Sequence, residues 1–597
     1  MTKTLVKNAS FTWKMGGEAG TGIKNSALIL AKAFVKGGYF VHANVEYPSI
    51  VRGGNNTLEV RISPRPVHSL AGQVNLLAAL DTRTVRMWGS EVVRGGLVLY
   101  DAAHAAAIDP LSPRELAAFK KRGVQLFDVP LYTLLAKHKL PRLMLNTVML
   151  GAICGMVCYD LTLLDEGLEE VFGRKGLAVV KANLAAAMAG YTYVTKYYKE
   201  QFVCQPRLTG EPRLLLEGNE GILLGALRGG MTCYAGYPMT PTSSLLHATA
   251  ALKTRYNLFA YQPEDEISAI QFALGAWYAG ARAMTGSSGG GFSLMVESLG
   301  IAAMTETPLV VLLGQRPGPA TGLPTRTGQG DLRFALHAGQ DEPPRVVLAP
   351  GDPQEAFELT FAAFNIAEKY QLIVIVLGDK YLQEGFWTHT PLAPERLRVD
   401  RGKLVTPAQA ARLKEYARFA VTADGVSPRV LPGTPGVGSI WRVSGDEHDE
   451  YGFITEDRRN RIAMMEKRRR KVQTAYTGTI AKLSPVRIYG HTKATTTVVS
   501  FGSNKGVLLD AIEAGPKTAA VKLVMLRCLM PFPVQEMHSA LRGVKKVLVV
   551  EGNDTGLLEG LLRQHLGVRT NKRLRFYDGR PLTQPVVERF IRSSVSK

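Results

Sequence analysis

The chain has 597 residues, of which 46% are hydrophobic and 21% are charged, and its formal net charge is +21. This length predicts several domains, and the composition excludes a disordered or fibrous protein. No apolar run reaches the roughly 18 residues that span a bilayer, and the first residues lack the pattern of a cleaved leader. We therefore expect a cytoplasmic protein with no membrane contact.

The positive charge is scattered along the chain, and its densest run is Arg458–Lys471. This run lacks the interleaved aromatic residues that bind single-stranded nucleic acid, so we expect no nucleic-acid partner. We interpret the run as a solvated helix face or a linker. The overall charge would suit an acidic protein partner or anionic small molecules.

Short apolar strands alternate with helical patterns along most of the chain, which predicts α/β domains with parallel sheets covered on both faces. We predict three such domains, at residues 1–205, 206–390 and 485–597. Residues 391–484 are rich in proline and charge, and we interpret them as a linker or a lid.

A glycine cluster lies between the first predicted strand, which breaks at glycine, and the first predicted helix. Its residues are Gly16, Gly17, Gly20, Thr21 and Gly22. Such a turn could present the unpaired N–H groups of a helix N-terminus to a phosphate, or it could be a turn with no ligand. Arg52, beside Gly53 and Gly54, suits an anion or a domain interface equally well.

The five cysteines form no CxxC pair, since Cys154 and Cys158 have three residues between them and the others are far apart. This spacing excludes a zinc ribbon and a ligand set for an iron–sulfur cluster, and we expect no metal site in this chain.

The central block carries four motifs: Tyr237-Pro238-Met239-Thr240-Pro241, the acidic cluster Glu264–Glu266, the glycine loop Thr285–Gly291, and Gly318–Thr325. Together they resemble the α subunit of the 2-oxoacid:ferredoxin oxidoreductases, whose YPITP motif here has Met for Ile. The first 200 residues resemble the γ domain of that family. Residues 495–597 resemble its transketolase-C-like domain, including Glu551–Asn553.

The resemblance implies thiamine diphosphate as cofactor, with a buried carboxylate facing its aminopyrimidine ring. Glu266 matches the family position, nine residues before Gly275-Ala276, and Glu264 is the competing candidate. The carboxylates of this cluster could instead stabilise the start of a helix, and we prefer that interpretation for Asp265.

The resemblance also implies a substrate pocket formed by Tyr237, Pro238, Met239 and Thr240. Thr240 and an arginine would hold the carboxylate of a 2-oxoacid. We favour Arg316, and Arg326 in the same loop is the alternative. Coenzyme A would bind the γ-like domain, where its phosphates suit the Gly16–Gly22 turn.

The family holds the Mg²⁺ of thiamine diphosphate with a GDG segment, and this chain contains none. The resemblance therefore implies a β subunit that carries thiamine diphosphate, Mg²⁺ and a four-iron four-sulfur cluster, in an (αβ)₂ heterotetramer. The implied reaction is coenzyme A-dependent oxidative decarboxylation of a 2-oxoacid, most plainly 2-oxoglutarate, with electrons to ferredoxin, or the reverse carboxylation. The alternatives are a subunit of a non-redox thiamine enzyme and a non-catalytic protein that binds coenzyme A or a nucleotide.

Overall fold

The computed structural model describes residues 10–50, 53–198, 211, 213–514 and 521–595. The chain divides into two compact units. The first comprises Met1–Leu216, Gly385–Pro391 and Pro581–Arg589, and the second comprises Glu217–Glu384, Leu392–Arg580 and Phe590–Lys597. Arg52 of the predicted anion site lies outside the described residues.

The first unit contains one mixed sheet and its covering helices. Its strands are β1 (Phe11–Glu18), β2 (Phe40–Glu46), β3 (Asn55–Ser63), β4 (Val74–Ala79), β5 (Val92–Tyr100), β6 (Gln125–Asp128), β7 (Leu214–Glu217) and, from a later part of the chain, β14 (Phe386–His389). Its helices are α1 (Ile23–Lys36), α2 (Thr82–Trp88), α3 (Ala102–Ile108), α4 (Pro113–Arg122), α5 (Leu131–Lys137), α6 (Leu145–Met156), α7 (Leu161–Phe172) and α8 (Leu177–Tyr197).

The eight-stranded sheet has the order β6-β5-β4-β1-β3-β2-β14-β7. β1 pairs parallel to β4 but antiparallel to β3, and β3 pairs antiparallel to β2. The prediction of a parallel sheet is therefore wrong for the pairs of β3 with β1 and β2, whereas β1, β4, β5 and β6 are parallel as predicted. The physical reason is the connection from β2 to β3, which is shorter than the crossover of about a dozen residues that parallel strands require.

The first strand also continues further than the sequence predicts. Gly16 and Gly17 lie inside β1, opposite Thr57 and Asn56 of β3, so they do not belong to the turn before α1. A Cβ on Gly16 would lie 2.7 Å from Thr84 and 2.9 Å from Thr57, so glycine permits the close packing of this strand. The turn itself contains Gly20 and Gly22, both with positive φ.

Helix α8 is the one described helix that is long and apolar enough to cross a membrane by length and composition, and 39% of its most apolar window is buried. It packs closely against α6. The backbone of Ala187 in α8 contacts Gly151, and the backbone of Val148 in α6 contacts Gly190. The exposed face of α8 leaves Leu177 64% and Met188 46% accessible.

The second unit contains two sheets. Its strands are β8 (Cys233–Ala235), β9 (Phe259–Tyr261), β10 (Ala283–Ser288), β11 (Leu309–Gln315), β12 (Arg345–Leu348), β13 (Ile373–Asp379), β15 (Val486–Gly490), β16 (Thr496–Phe501), β17 (Val521–Leu526), β18 (Cys528–Met530), β19 (Lys546–Glu551) and β20 (Lys572–Arg575). Its helices are α9 (Gly218–Arg228), α10 (Ser243–Tyr256), α11 (Glu266–Tyr278), α12 (Gly289–Met304), α13 (Leu332–His337), α14 (Pro353–Tyr370), α15 (Lys380–Glu384), α16 (Pro407–Ala410), α17 (Arg458–Gly478), α18 (Asn504–Glu513), α19 (Val534–Ala540) and α20 (Leu557–Leu566). The last helix, α21 (Gln584–Val595), has residues in both units.

The larger sheet of this unit has the order β18-β12-β13-β11-β10-β8-β9. All of its pairs are parallel except that of β12 with β18. The central strands β10, β11 and β13 are buried along their whole length, as expected for a parallel sheet with helices on both faces. The smaller sheet has the order β15-β17-β16-β19-β20, and only β15 runs antiparallel to its neighbour.

The basic run Arg458–Lys471 forms most of helix α17, but its description as a solvated face is wrong for three of its cations. Lys467 and Lys471 are fully buried and both pair with Glu306, at 2.6 and 2.9 Å. Arg468 is 4% exposed and pairs with Glu447. Buried charges persist only when they are paired, so these residues anchor α17 to the second unit.

Candidate active site

The carboxyl ends of β10 and β11 meet at one edge of the seven-stranded sheet. These strands are parallel neighbours, and Ser288 pairs in register with Gly314, just before Gln315 and Arg316. After β10 the chain turns directly into α12, which begins at Gly289. In open α/β sheets such an edge, together with the N-terminus of the following helix, is where ligands bind.

Glu266 is the first residue of α11 and its side chain is buried, with 3% exposure. Its Oε1 atom is buried and has no hydrogen-bond partner. A Cβ on Gly291 would lie 2.5 Å from this oxygen, so the carboxyl group lies against the first turn of α12. Burying a carboxyl oxygen without a hydrogen-bond donor costs free energy of folding. The arrangement therefore suits a ligand that donates a hydrogen bond to this oxygen.

The two neighbouring carboxylates differ from Glu266. Asp265 is the N-cap of α11, where its side chain accepts a hydrogen bond from the backbone N–H of Ser268 at 2.8 Å. This bond lowers the pKa of Asp265. Glu264 is exposed. Only Glu266 of this cluster therefore combines burial with an oxygen that lacks a partner.

The Tyr237–Pro241 segment follows β8 and lies beside the same helix start. The Sδ atom of Met239 is within hydrogen-bonding distance of the hydroxyl groups of Ser287 and Ser288. Pro238, Met239 and Thr240 are partly buried, and Tyr237 is 38% exposed. The substitution of Met for Ile thus places a sulfur atom against the end of β10.

The two candidate arginines lie in different surroundings. Arg316 donates a hydrogen bond from Nη1 to the backbone carbonyl of Thr240 at 2.8 Å, which brings the two predicted substrate residues together. The stem of Arg326 lies beside Gly579, whose added Cβ would be 3.0 Å from the arginine Cβ. The structure therefore joins Arg316 to the Tyr237–Pro241 segment.

Asp331 belongs to the same site, although no motif in the sequence indicates it. Its carboxyl group lies over Gly289, where an added Cβ would be 2.8 Å from Oδ2. Burial raises the pKa of Asp331 to about 6, and the charge of Arg316 opposes that rise. The only signal in the sequence is an acidic residue shortly after Gly318–Thr325.

The first unit has a cavity of about 550 Å³ beside the turn that contains Gly20 and Thr21. Arg142 supplies a cation, with its guanidinium 4.8 Å from the ring centroid of Tyr132. The lining also includes four acidic side chains, Glu18, Asp81, Asp101 and Asp109.

Three of these four carboxylates are already engaged within the protein. Asp81 and Asp101 cap α2 and α3 by accepting backbone N–H bonds at 2.7 and 2.9 Å. Asp109 pairs with Arg86, which lowers the pKa of the carboxyl group. The charge of Asp109 is therefore offset by a cation, and those of Asp81 and Asp101 lie at helix N-termini. In the described parts of the chain, no cluster of three or more His, Cys, Asp or Glu could hold a metal ion.

Two family models match the chain. Residues 12–193 match the family described as pyruvate ferredoxin/flavodoxin oxidoreductase. Residues 224–467 match the family described as pyruvate flavodoxin/ferredoxin oxidoreductase, thiamine diP-bdg.

Whole-chain relatives agree with these matches. The 2-oxoacid:ferredoxin oxidoreductase subunit alpha of Saccharolobus solfataricus is 32% identical to this chain, and the alignment covers 98% of both proteins. The 2-oxoglutarate oxidoreductase subunit KorA of Mycobacterium tuberculosis is 28% identical over 87% of this chain and 81% of its own. A solved structure is also similar, that of 2-oxoglutarate:ferredoxin oxidoreductase from Magnetococcus marinus with 2-oxoglutarate, coenzyme A and succinyl-CoA bound. Its TM-score is 0.88 at 28% sequence identity, and the match covers 99% of this chain and 100% of that one. Because the first of these relatives matches almost the entire chain, the chain belongs to the 2-oxoacid:ferredoxin oxidoreductase alpha subunits and is part of an oxidoreductase.

Proposed function

We propose that this chain orients and activates substrate and cofactor in the coenzyme A-dependent oxidation of 2-oxoglutarate, with electrons passing to ferredoxin. The observation that carries the proposal is the buried Oε1 of Glu266, which lacks a partner at the start of α12. Thiamine diphosphate, when bound, supplies a nucleophilic thiazolium carbon for the ketone of the substrate. Glu266 would accept a hydrogen bond from its aminopyrimidine ring.

Arg316 and Thr240 are proposed to hold the carboxylate of the substrate. A guanidinium group matches a carboxylate in charge and in geometry. The hydrogen bond from Arg316 to the Thr240 carbonyl fixes the two residues relative to each other. Tyr237, Pro238 and Met239 would form the wall of this pocket beside the end of β10.

The chain is proposed to act only with a β subunit. Its sequence has no GDG segment and no cysteine set for a cluster, so thiamine diphosphate–Mg²⁺ and a four-iron four-sulfur cluster would lie in that partner. The proposed assembly is an (αβ)₂ heterotetramer, and the formal charge of +21 would favour an acidic ferredoxin.

The choice of 2-oxoglutarate is supported by the relatives named for that substrate. It is tested by assaying the complex, purified through a tag on this chain, with a panel of 2-oxoacids, coenzyme A and a one-electron acceptor. We expect the highest kcat/KM for 2-oxoglutarate, and a larger rise in KM for Arg316→Lys than for Arg326→Lys. A complex that prefers pyruvate, or that oxidises no 2-oxoacid, would contradict the proposal.

Coenzyme A is proposed to bind the cavity of the first unit, beside Gly20, Thr21 and Arg142. The cavity volume of about 550 Å³ suits a sizeable ligand. Thr21 is exposed at the cavity, whereas Asn25 is exposed on α1 and does not line it. Thr21→Trp should raise the KM for coenzyme A about tenfold or more by filling the cavity, with the KM for the 2-oxoacid unchanged. Asn25→Trp is the matched control, and equal KM values in the two variants would place coenzyme A elsewhere.

A further inference from the structure

Asp331 is a carboxyl group that the proposed chemistry does not use, although it lies at the proposed substrate site. Its Oδ2 atom is buried and has no hydrogen-bond partner. It precedes α13 but makes no side-chain hydrogen bond to the N-terminus of that helix. The side chain therefore has no capping role that would explain its burial.

The position of Asp331 is fixed by its backbone. Its N–H donates to Oε1 of Gln315 at 3.1 Å, and Nε2 of Gln315 donates to the carbonyl of Gly378 at 3.3 Å. Gln315 is the last residue of β11 and directly precedes Arg316. The carboxyl group is thereby held at the same sheet edge as the arginine, with its oxygens over Gly289 of α12.

The charged groups around this position come from several elements. Arg316 follows β11 and acts on the Asp331 charge. Glu266 of α11 lies against Gly291, two residues beyond the glycine that Asp331 faces. Asp379 ends β13, where Gln329 and Ser503 donate to it, and Arg333 lies on α13 with its guanidinium near Gly560. Arg316 is thus a cation whose charge acts on Asp331.

We propose that Asp331 is a positioning residue whose proton controls how strongly Arg316 binds the carboxylate of the 2-oxoacid substrate. The inference rests on the proposed function of Arg316. When Asp331 is protonated and neutral, it does not offset the positive charge that Arg316 presents to the substrate. When Asp331 is ionised, it offsets that charge and repels the anionic substrate across a partly dehydrated site.

The direction of the pH effect follows from the pKa of Asp331, which burial raises to about 6. Below that pH the group is neutral and substrate binding is tight, and above it binding weakens. If the bound carboxylate of the substrate raises the pKa of Asp331 by about one unit, the affinity for the substrate differs about tenfold between the two protonation states of Asp331. The effect should appear in KM for the 2-oxoacid and leave kcat nearly unchanged, because Asp331 acts through Arg316.

The test is the KM for the 2-oxoacid of the purified complex between pH 5.5 and 8.0, at saturating coenzyme A. In the native complex we expect this KM to rise about tenfold from pH 5.5 to pH 8.0. In Asp331→Asn we expect a low KM that does not change with pH. Asp341→Asn removes an exposed carboxylate from the same unit and should retain the rise. A native rise that persists in Asp331→Asn, or a loss of kcat at constant KM, would overturn the inference.

Binding of N-oxalylglycine, an unreactive analogue of 2-oxoglutarate, provides a measurement on the complex without any substitution. Titration calorimetry should show weaker binding at pH 8.0 than at pH 5.5, and an equal affinity at both would also overturn the inference. A complex that oxidises no 2-oxoacid at any pH contradicts the proposed function. A complex that oxidises them with a pH-independent KM contradicts only the role of Asp331.

Discussion

Glu266 and Asp265 are adjacent carboxylates with different surroundings. Asp265 accepts a backbone hydrogen bond at the start of α11, which satisfies it within the protein. Glu266 points into the protein against Gly291, and its Oε1 accepts no bond from any described group. An oxygen in this state is available to a ligand that can donate a proton or a hydrogen bond.

Replacing Glu266 with Gln should lower turnover of the 2-oxoacid by about a hundredfold or more, because an amide cannot hold a protonated ring nitrogen as a carboxylate can. The measurement is kcat of the purified complex with saturating substrates. Asp265→Asn is the matched control, since asparagine caps a helix about as well as aspartate. If Glu266→Gln retains near-native turnover, another residue performs the proposed role.

At the scale of the element, α17 shows how a strongly basic helix is accommodated. Glu306 is fully buried between Lys467 and Lys471. Burial alone would raise its pKa, but the charges of Lys471 and Lys467 outweigh that effect and hold the pKa below its usual range. Burial also disfavours the charged form of Lys471 and lowers its pKa to about 8, although the attraction of Glu306 acts in the opposite direction. The stabilisation from Glu306 is therefore present above the ordinary pKa of a glutamate and is lost in strong acid.

Glu306→Gln should destabilise the second unit by about 3–5 kcal/mol, because it leaves two buried ammonium groups without a counter-charge. The measurement is the melting temperature of the complex, which should fall by several degrees. Glu466→Gln changes an exposed carboxylate of α17 and should change stability by less than about 0.5 kcal/mol.

Adding Lys471→Met to Glu306→Gln should recover part of the loss, since it removes one of the uncompensated charges. Equal melting temperatures for the native complex and Glu306→Gln would show that the buried ion pairs contribute little to this unit.

At the scale of the whole molecule, the sequence predicts the α/β class and the main motifs. Apolar strands such as β11 and β13 and the long Tyr237–Pro241 and Thr285–Gly291 motifs are local signals. The domain boundaries stay a prediction. The described residues form three sheets, and the chain divides into two compact units.

Other features depend on contacts between distant residues and could not be predicted. The antiparallel pairing of β1 with β3 depends on tertiary contacts, and because of it Gly16 and Gly17 lie inside the strand. The burial of Lys467 and Lys471 requires Glu306, more than 160 residues earlier in the chain. Asp331 could not be predicted for the same reason, because its place over Gly289 arises only when β10 and β11 are aligned.

We propose that this chain provides only part of an active site, with Glu266 and Arg316 but without a GDG segment of its own. The most direct test compares 2-oxoacid oxidation by the chain purified alone with oxidation by the complex purified through the same chain. Both are supplied with thiamine diphosphate, Mg²⁺, coenzyme A and a one-electron acceptor. We expect no turnover by the chain alone and turnover by a complex that absorbs near 400 nm. A colourless single chain with full activity would contradict it.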